Sequence, residues 1–546
     1  MTCREADSPR VYDSGLNGQC IPQAKMSKTD SLTGSSSNAP AKPAVPPFPP
    51  LKATATTASA RLALEALEHF DQSPENPRNW SRGRKWRISM TVALTGFIST
   101  CGSSIGVPGI HAVRDEFGVD NEKVGVMITS FYVLGLGCGP FLFAPISELY
   151  GRQVAYLASL IPYVFFSLGT ALSHNMQTMV ILRFFCGVCG SSGPALGVAT
   201  IADTCGHIRR GADGASCAPA GPVIGSMIGY WLLFGGWRWL FWTITILAAL
   251  NLVLFITLTQ ETYAPAIEKV LRYRVRHPIA LPTTFADRIS PSRIIHNLSW
   301  MKAMVSLQDA RQVFGRAFSR PPRMLFGNPV CFIFSAYYAY LYAIIYVFLV
   351  SVPLAFGSPP FDREGLFSYH WPQASLSLSY IGLAIGFATS ATVAANVQDR
   401  IYKYLSKRAG NTGQPEFRLV LTQIGMIIMP IGLLIFGWTV QAHTHWIGPQ
   451  IGLLLVALGL MLPFNSIQNF LIDAFTPYSA AAIASATGLR SIFACVLPEF
   501  SGDMFQTLGW GWGGTLLALV ALVAVPAPAI MFKYGQRLRE KFQFDG

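Results

Sequence analysis

Uninterrupted apolar runs long enough to cross a bilayer recur along this chain, and they constrain its fold more than any motif does. A hydrocarbon core takes about 20 apolar residues of helix per crossing. Twelve such runs can be read, at 88–108, 124–146, 154–173, 178–202, 212–234, 239–259, 329–353, 373–396, 419–440, 447–472, 480–499 and 512–532. Inside lipid every backbone amide and carbonyl needs an internal partner, so runs of this length must be helical. The expected class is an all-α polytopic membrane protein, with 12 transmembrane helices in two six-helix halves. Residues 1–77 read as a disordered cytoplasmic N-terminal tail and 78–259 as the N-terminal six-helix half. Residues 260–328 read as a cytoplasmic central loop, 329–534 as the C-terminal half and 535–546 as a cytoplasmic tail.

Composition agrees with this division. Only 13% of the residues are charged, about half the share usual in soluble domains. The first 77 residues are polar and rich in Ser, Ala and Pro ("NAPAKPAVPPFPP"), with no apolar core of a secretory leader. Leu64, Leu67 and Phe70 would share one side of a short helix there. The net charge of +13 invites a nucleic-acid reading, but the positions of the basic residues exclude it. They gather on one side: Arg78 to Arg87 before the first run, Arg152, Arg209 and Arg210, the central loop, Arg400 to Arg418, and the C-terminal tail. The other side carries only Arg114, Lys123, Arg238 and Arg363. By the positive-inside rule both termini are cytoplasmic. A monomer in the cell membrane, with lipid and no nucleic acid around it, is expected.

Several function classes drop out. Cys186 and Cys189 have half-site spacing but no second half-site, so no metal is expected. No nucleophile–base spacing falls within the runs, and no Walker lysine motif suggests ATP as energy source. An enzyme is therefore not expected.

Ionisable groups inside such runs are costly, hence functional candidates. Arg183 lies in run four and Arg490 in run eleven. Arg183 is either functional or a structural cation held by backbone carbonyls; Arg490 is structural, gating or a substrate contact. Asp203, Asp213, Asp473 and Glu499 sit at run ends, and none stands out as the proton carrier. Tyr338, Tyr342 and Tyr346 are spaced by four and share a helix face, for stacking on a substrate or for helix packing. Asn465, Gln468 and Asn469 need partners in an apolar helix, supplied by a watery cavity or by a neighbouring helix.

"APISELYGRQ" joins runs two and three. It resembles the loop motif G-x-x-x-D-R-x-G-R-R/K of the major facilitator superfamily, with Ala144, Glu148, Gly151 and Arg152 at matching places and Leu149 and Gln153 departing from it. "PENPRNWSRGRKW", "RFFCG", "GWRWLFW", "ETYAP", "PEFRL", "NFLIDAF" and "GLRSIF" follow in order. Together they resemble the fungal twelve-span drug:proton antiporters over residues 71–540. That resemblance implies the major facilitator fold and proton coupling or gating through Arg183, Glu148, Gly151, Arg152, Asp203, Asp473 and Arg490. The loop charges would pair across the two halves. Gly221, Pro222 and Gly225 match the antiporter motif of span five, a closely packed helix bent at Pro222.

The expected function is secondary active transport: proton-coupled efflux of an amphiphilic small molecule (drug, toxin, secondary metabolite or polyamine) by alternating access. It would need no cofactor, only the proton gradient. Uptake or uniport of an organic solute is an alternative. The polar, short front of span five, "GADGASCAP", keeps a second one open, an impaired remnant or a transporter-like sensor.

Overall fold

The computed structural model describes residues 64–205, 220–276, 307–359, 361, 365–408, 410, 413–476 and 478–542. Among them the chain is helical throughout, with one isolated bridge between Gly357 and Trp371. Asp213 and the polar front of span five lie outside the described residues.

The first six spans are built from α1 (Arg82–Ser104), the short α2 (Ile110–Phe117), α3 (Glu122–Tyr150), α4 (Arg152–Ala171), α5 (Met176–Gly190), α6 (Ser192–Cys205), α7 (Gly221–Leu232) and α8 (Arg238–Leu258). Two polar helices follow, α9 (Ala264–Arg276) and α10 (Leu307–Gly327). The second set is α11 (Pro329–Phe356), α12 (Ile381–Arg408), α13 (Val420–Gln441), α14 (Ile447–Ala474), α15 (Ser479–Val523) and α16 (Pro526–Lys541). Asparagines start three of them. Asn121 accepts from Lys123 N, Asn175 from Thr178 N, and Asn328 from Val330 N and Cys331 N. Each satisfies amides that a helix start leaves open.

Among the described residues, ten helical segments are long and apolar enough to cross a membrane. Two expected spans differ in form. Runs eleven and twelve are two helices that meet within α15 with no loop between them, at a kink at Gly509, whose φ is 74°. Span twelve runs on through Ala524 and Val525, both helical in backbone, into α16, which opens at Pro526. Apolar side chains such as Phe165, Val253, Ile431 and Leu519 are exposed on the outside, where lipid would cover them.

Packing follows the two-half plan. α1 lies against α6, α7 and α8, α3 against α5, α13 against α14, and α12 against α14. Across the halves, α3 packs on α15, and the turn Gln373–Tyr380 before α12 packs on α7. These contacts close the end that carries Lys123 and Asp503. There Lys123 pairs with Asp503 at 2.9 Å, Trp231 Nε1 donates to Ser377 Oγ at 3.1 Å, and Phe361 meets His111 and Tyr230 edge-on. Near the N-terminus, Leu67 and Phe70 pack on Ile267 and Leu271 of α9.

Candidate functional site

Three groups of residues meet the sequence expectations: a mid-membrane cluster, the arginine-rich end, and the α1–α7 contact.

The mid-membrane cluster centres on Arg490 of α15. Its Nη1 donates to Tyr338 Oη at 3.0 Å, and its guanidinium carbon lies 4.5 Å from the Tyr342 ring centre. Phe464 of α14 stacks on Tyr338 with centroids 4.3 Å apart. The cation is thus boxed by π faces, which favour it, while Arg490 Nε is buried without a hydrogen-bond partner. From Tyr342 a line of hydroxyls continues. Tyr342 Oη and Tyr346 Oη are 3.4 Å apart, and Tyr346 Oη is 2.8 Å from Ser103 Oγ on α1. Ser103 spends its one proton on Thr100 O, at 2.6 Å, so Tyr346 must be the donor to Ser103. The three tyrosines share a face, as their spacing predicts. All three are buried in the core, with Tyr338 and Tyr342 against the Arg490 cation.

Arg183 sits close to the far end of this line. It is buried, and its Nη2 donates to Gly102 O at 2.8 Å and to Ser103 O at 3.4 Å, while Nε donates to Ile128 O at 3.0 Å. The Tyr132 ring covers it at 4.4 Å. Among the described residues it makes no ion pair, so backbone carbonyls and rings hold this charge.

Of the α14 amides, Asn469 Nδ2 donates to Gln398 Oε1 of α12 at 3.4 Å, an interhelical bond. Asn465 and Gln468 are half-buried.

At the arginine-rich end the ion pairs close within each half rather than across them. Arg152 Nε reaches Asp203 at 3.1 Å, and Arg152 Nη1 donates to Ser147 Oγ. Arg418 pairs with Asp473 and lies 3.9 Å from Asp399. Among the described residues none of these pairs crosses between the halves. Each arginine starts the third span of its half and finds an acid at the end of the fourth. Glu148 feels Arg152 and, from α10, Arg320. In both halves a tyrosine ring covers the arginine: Tyr263 over Arg152 at 4.9 Å and Tyr402 over Arg418 at 4.8 Å.

Two residues here escaped the sequence reading. Arg418 was counted only as a topology charge. Glu261 of "ETYAP" was quoted but given no role, and it accepts from four backbone amides: Arg152, Gln153, Thr262 and Tyr263, at 2.8 to 3.0 Å. It caps the start of α4 and ties the exit of α8 to it. Burial pushes its carboxyl above the ordinary value, against the pull of the four amides. An acid directly after a membrane span, beside a glycine turn, was the available signal. Gly151 has φ 98° and ψ 166°, and a Cβ there would fall 2.4 Å from Glu261 Oε2.

The third group is the close contact of α7 with α1. A Cβ on Gly221 would meet Thr100 Oγ1 at 2.0 Å, and one on Gly225 would meet Cys101 O at 2.5 Å. α7 therefore lies backbone to backbone on α1. Ser104 Oγ donates to Pro222 O at 2.5 Å and Cys101 Sγ to Gly221 O at 3.3 Å. Pro222 stands in the first described turn of α7.

A family model described as the Major Facilitator Superfamily matches residues 92–500. The chain is 34% identical over 475 residues to an efflux pump, radE, of Floropilus chiversii, covering 86% of this chain and 83% of that protein. It is 32% identical over 466 residues to an MFS transporter, cpaT, of Aspergillus oryzae, covering 84% and 89%. Among solved structures it resembles the proton:xylose symporter XylE, with TM-score 0.57 and 12% identity over 85% of this chain and 100% of that one. It also resembles the human organic anion transporter MFSD10, with TM-score 0.52 and 14% identity over 84% and 100%. At such identities these two likenesses concern the fold alone.

Proposed function

The chain belongs to the major facilitator superfamily, a multi-pass membrane transporter and not an enzyme, and from that membership we propose that it is a proton-coupled exporter of an amphiphilic small molecule. The observation that carries this reading is Arg490, a cation within the membrane-spanning helices boxed by Tyr338, Tyr342 and Phe464. A cation on an aromatic wall suits a ligand with a flat apolar body and a polar or acidic group. The efflux pump among the relatives supports the direction.

The arginine-rich end is assigned to the cytoplasm, with both termini on that side, and the Lys123–Asp503 end to the outside. The present arrangement, closed at the Lys123 end by contacts of the two halves, is then inward-facing. The monomer is the working unit, the two halves are 78–259 and 329–534, and the proton gradient supplies the energy without a cofactor. Alternating access breaks the outer contacts and passes the ligand out. A susceptibility panel of planar amphiphiles, run on cells with and without the protein, tests the reading. Resistance to a subset, lost in R490A at equal protein level, supports it; no compound distinguishing the cells overturns it.

A further inference from the structure

Glu499 stands on α15 at the seam where the halves meet. α3 and α15 run antiparallel there, matched as Phe141 to Gly488, Gly137 to Ser491, Ser130 to Glu499 and Lys123 to Asp503. A Cβ on Gly137 would fall 2.4 Å from Ser491 Cβ, so the two helices touch closely midway. Ser130 is roughly 12 Å along α3 from its start, which sets the carboxyl inside the apolar layer. Both carboxyl oxygens are shielded from solvent and without a hydrogen-bond partner. Ser130 Oγ is equally shielded and faces the carboxyl, without the geometry of a hydrogen bond to it.

The charges around Glu499 do not neutralise it. From α3, Lys123 reaches it, but that ammonium is held by Asp503, one turn further along α15, and lies over Phe500. Tyr132 of α3 is turned away to Ser99 O. On its own helix Cys495 is one turn back. α13 carries no charged residue, and α14 has only Asp473, at its other end. The titratable groups of α11 are tyrosines and Cys331, and Tyr340 is tied to Leu517 O. α10 meets α15 at the far end, where Arg320 covers Tyr478.

An ionised carboxylate shielded from water with no partner is among the costliest arrangements a protein can hold, and the neutral acid is far cheaper. We infer that Glu499 is a proton-binding site of this seam, loaded from the aqueous phase at the Lys123 end while the seam stands open, and that the halves close over it in its neutral form. The carboxylate takes one proton from water and needs no other reactant. The inference rests on the proposed orientation for which side supplies that proton.

The experiment follows the seam directly. Fluorescent or spin labels are placed through non-natural amino acids at Asp120 and Thr507, both exposed at this end, and their separation is read in the full-length protein as pH falls. The wild type is expected to move from open to closed, and E499Q to stay closed throughout. An unchanged pH response in E499Q overturns the inference. Carbodiimide treatment of the wild type, followed by mass spectrometry, needs no substitution. Modification of Glu499 at neutral pH, declining as pH rises, supports the site; an unmodified Glu499 at all pH values overturns it. Proton coupling as such is read separately, by protonophore. Sensitive efflux with a pH-dependent seam in E499Q defeats the Glu499 site alone, and resistant efflux with a pH-independent seam in E499Q defeats only antiport.

Discussion

The Tyr346 hydroxyl donates to Ser103 Oγ at 2.8 Å, which joins α11 to α1 across the two halves. Through Tyr342 the line reaches Arg490, and through the Ser103 carbonyl it touches Arg183. The intramembrane arginine of each half is thereby linked to the other by hydroxyls and one peptide group. Breaking this line is part of separating α1 from α11.

Y346F removes only the hydroxyl. A hydrogen bond of this kind contributes about 1 kcal/mol net, a factor of about five in an equilibrium. Ser103 keeps its bond to Thr100 O, while Tyr342 loses Tyr346 Oη as its hydroxyl partner. The expected outcome is a folded protein whose closed state at the Lys123 end is about fivefold less populated, read by label distances at that end.

G151A places a side chain at φ 98°, a region almost restricted to glycine, and drives its Cβ into Glu261. The expected loss is about 1–3 kcal/mol of stability, seen as a lower thermal midpoint in detergent. E261A should also destabilise, by orphaning the four amides it caps, and the two losses should not add, because both act on the same contact.

Double-mutant cycles separate the two ion pairs. Arg152 and Asp203 should couple, as should Arg418 and Asp473, each by about 1 kcal/mol or less, since all four are partly exposed. Arg152 with Asp473 should show no coupling in the inward-facing form. A strong cross-half energy would contradict the assignment of each pair to its own half.

G221L should abolish efflux. The added side chain meets Thr100 at the α1 backbone, and nothing there can move without parting the helices. Full efflux in G221L would show that α1 and α7 need not touch.

The spans were legible in the sequence because length and apolarity are summed over many residues, and no single contact decides them. The stripe of Tyr338, Tyr342 and Tyr346 was legible from spacing alone. What escaped depends on approach in space. Arg418 and Asp473 are 55 residues apart, and nothing local marks Arg418 as more than a loop cation. Glu261 works by accepting from backbone amides, which leave no residue signature. Gly509 looked like one more glycine among several, yet its backbone alone marks where span eleven turns into span twelve. Glu499 was visible as an acid beside a span, but its lack of a partner is a property of the packed seam.

Proton antiport is the central claim, and proteoliposomes of known orientation test it most directly. Substrate loaded on the cytoplasmic side should move out against its gradient when the opposite side is acidified. Protons should enter in step, and both flows should collapse when a protonophore is added. Efflux that continues unchanged with the protonophore present, at the same protein content, would contradict the account.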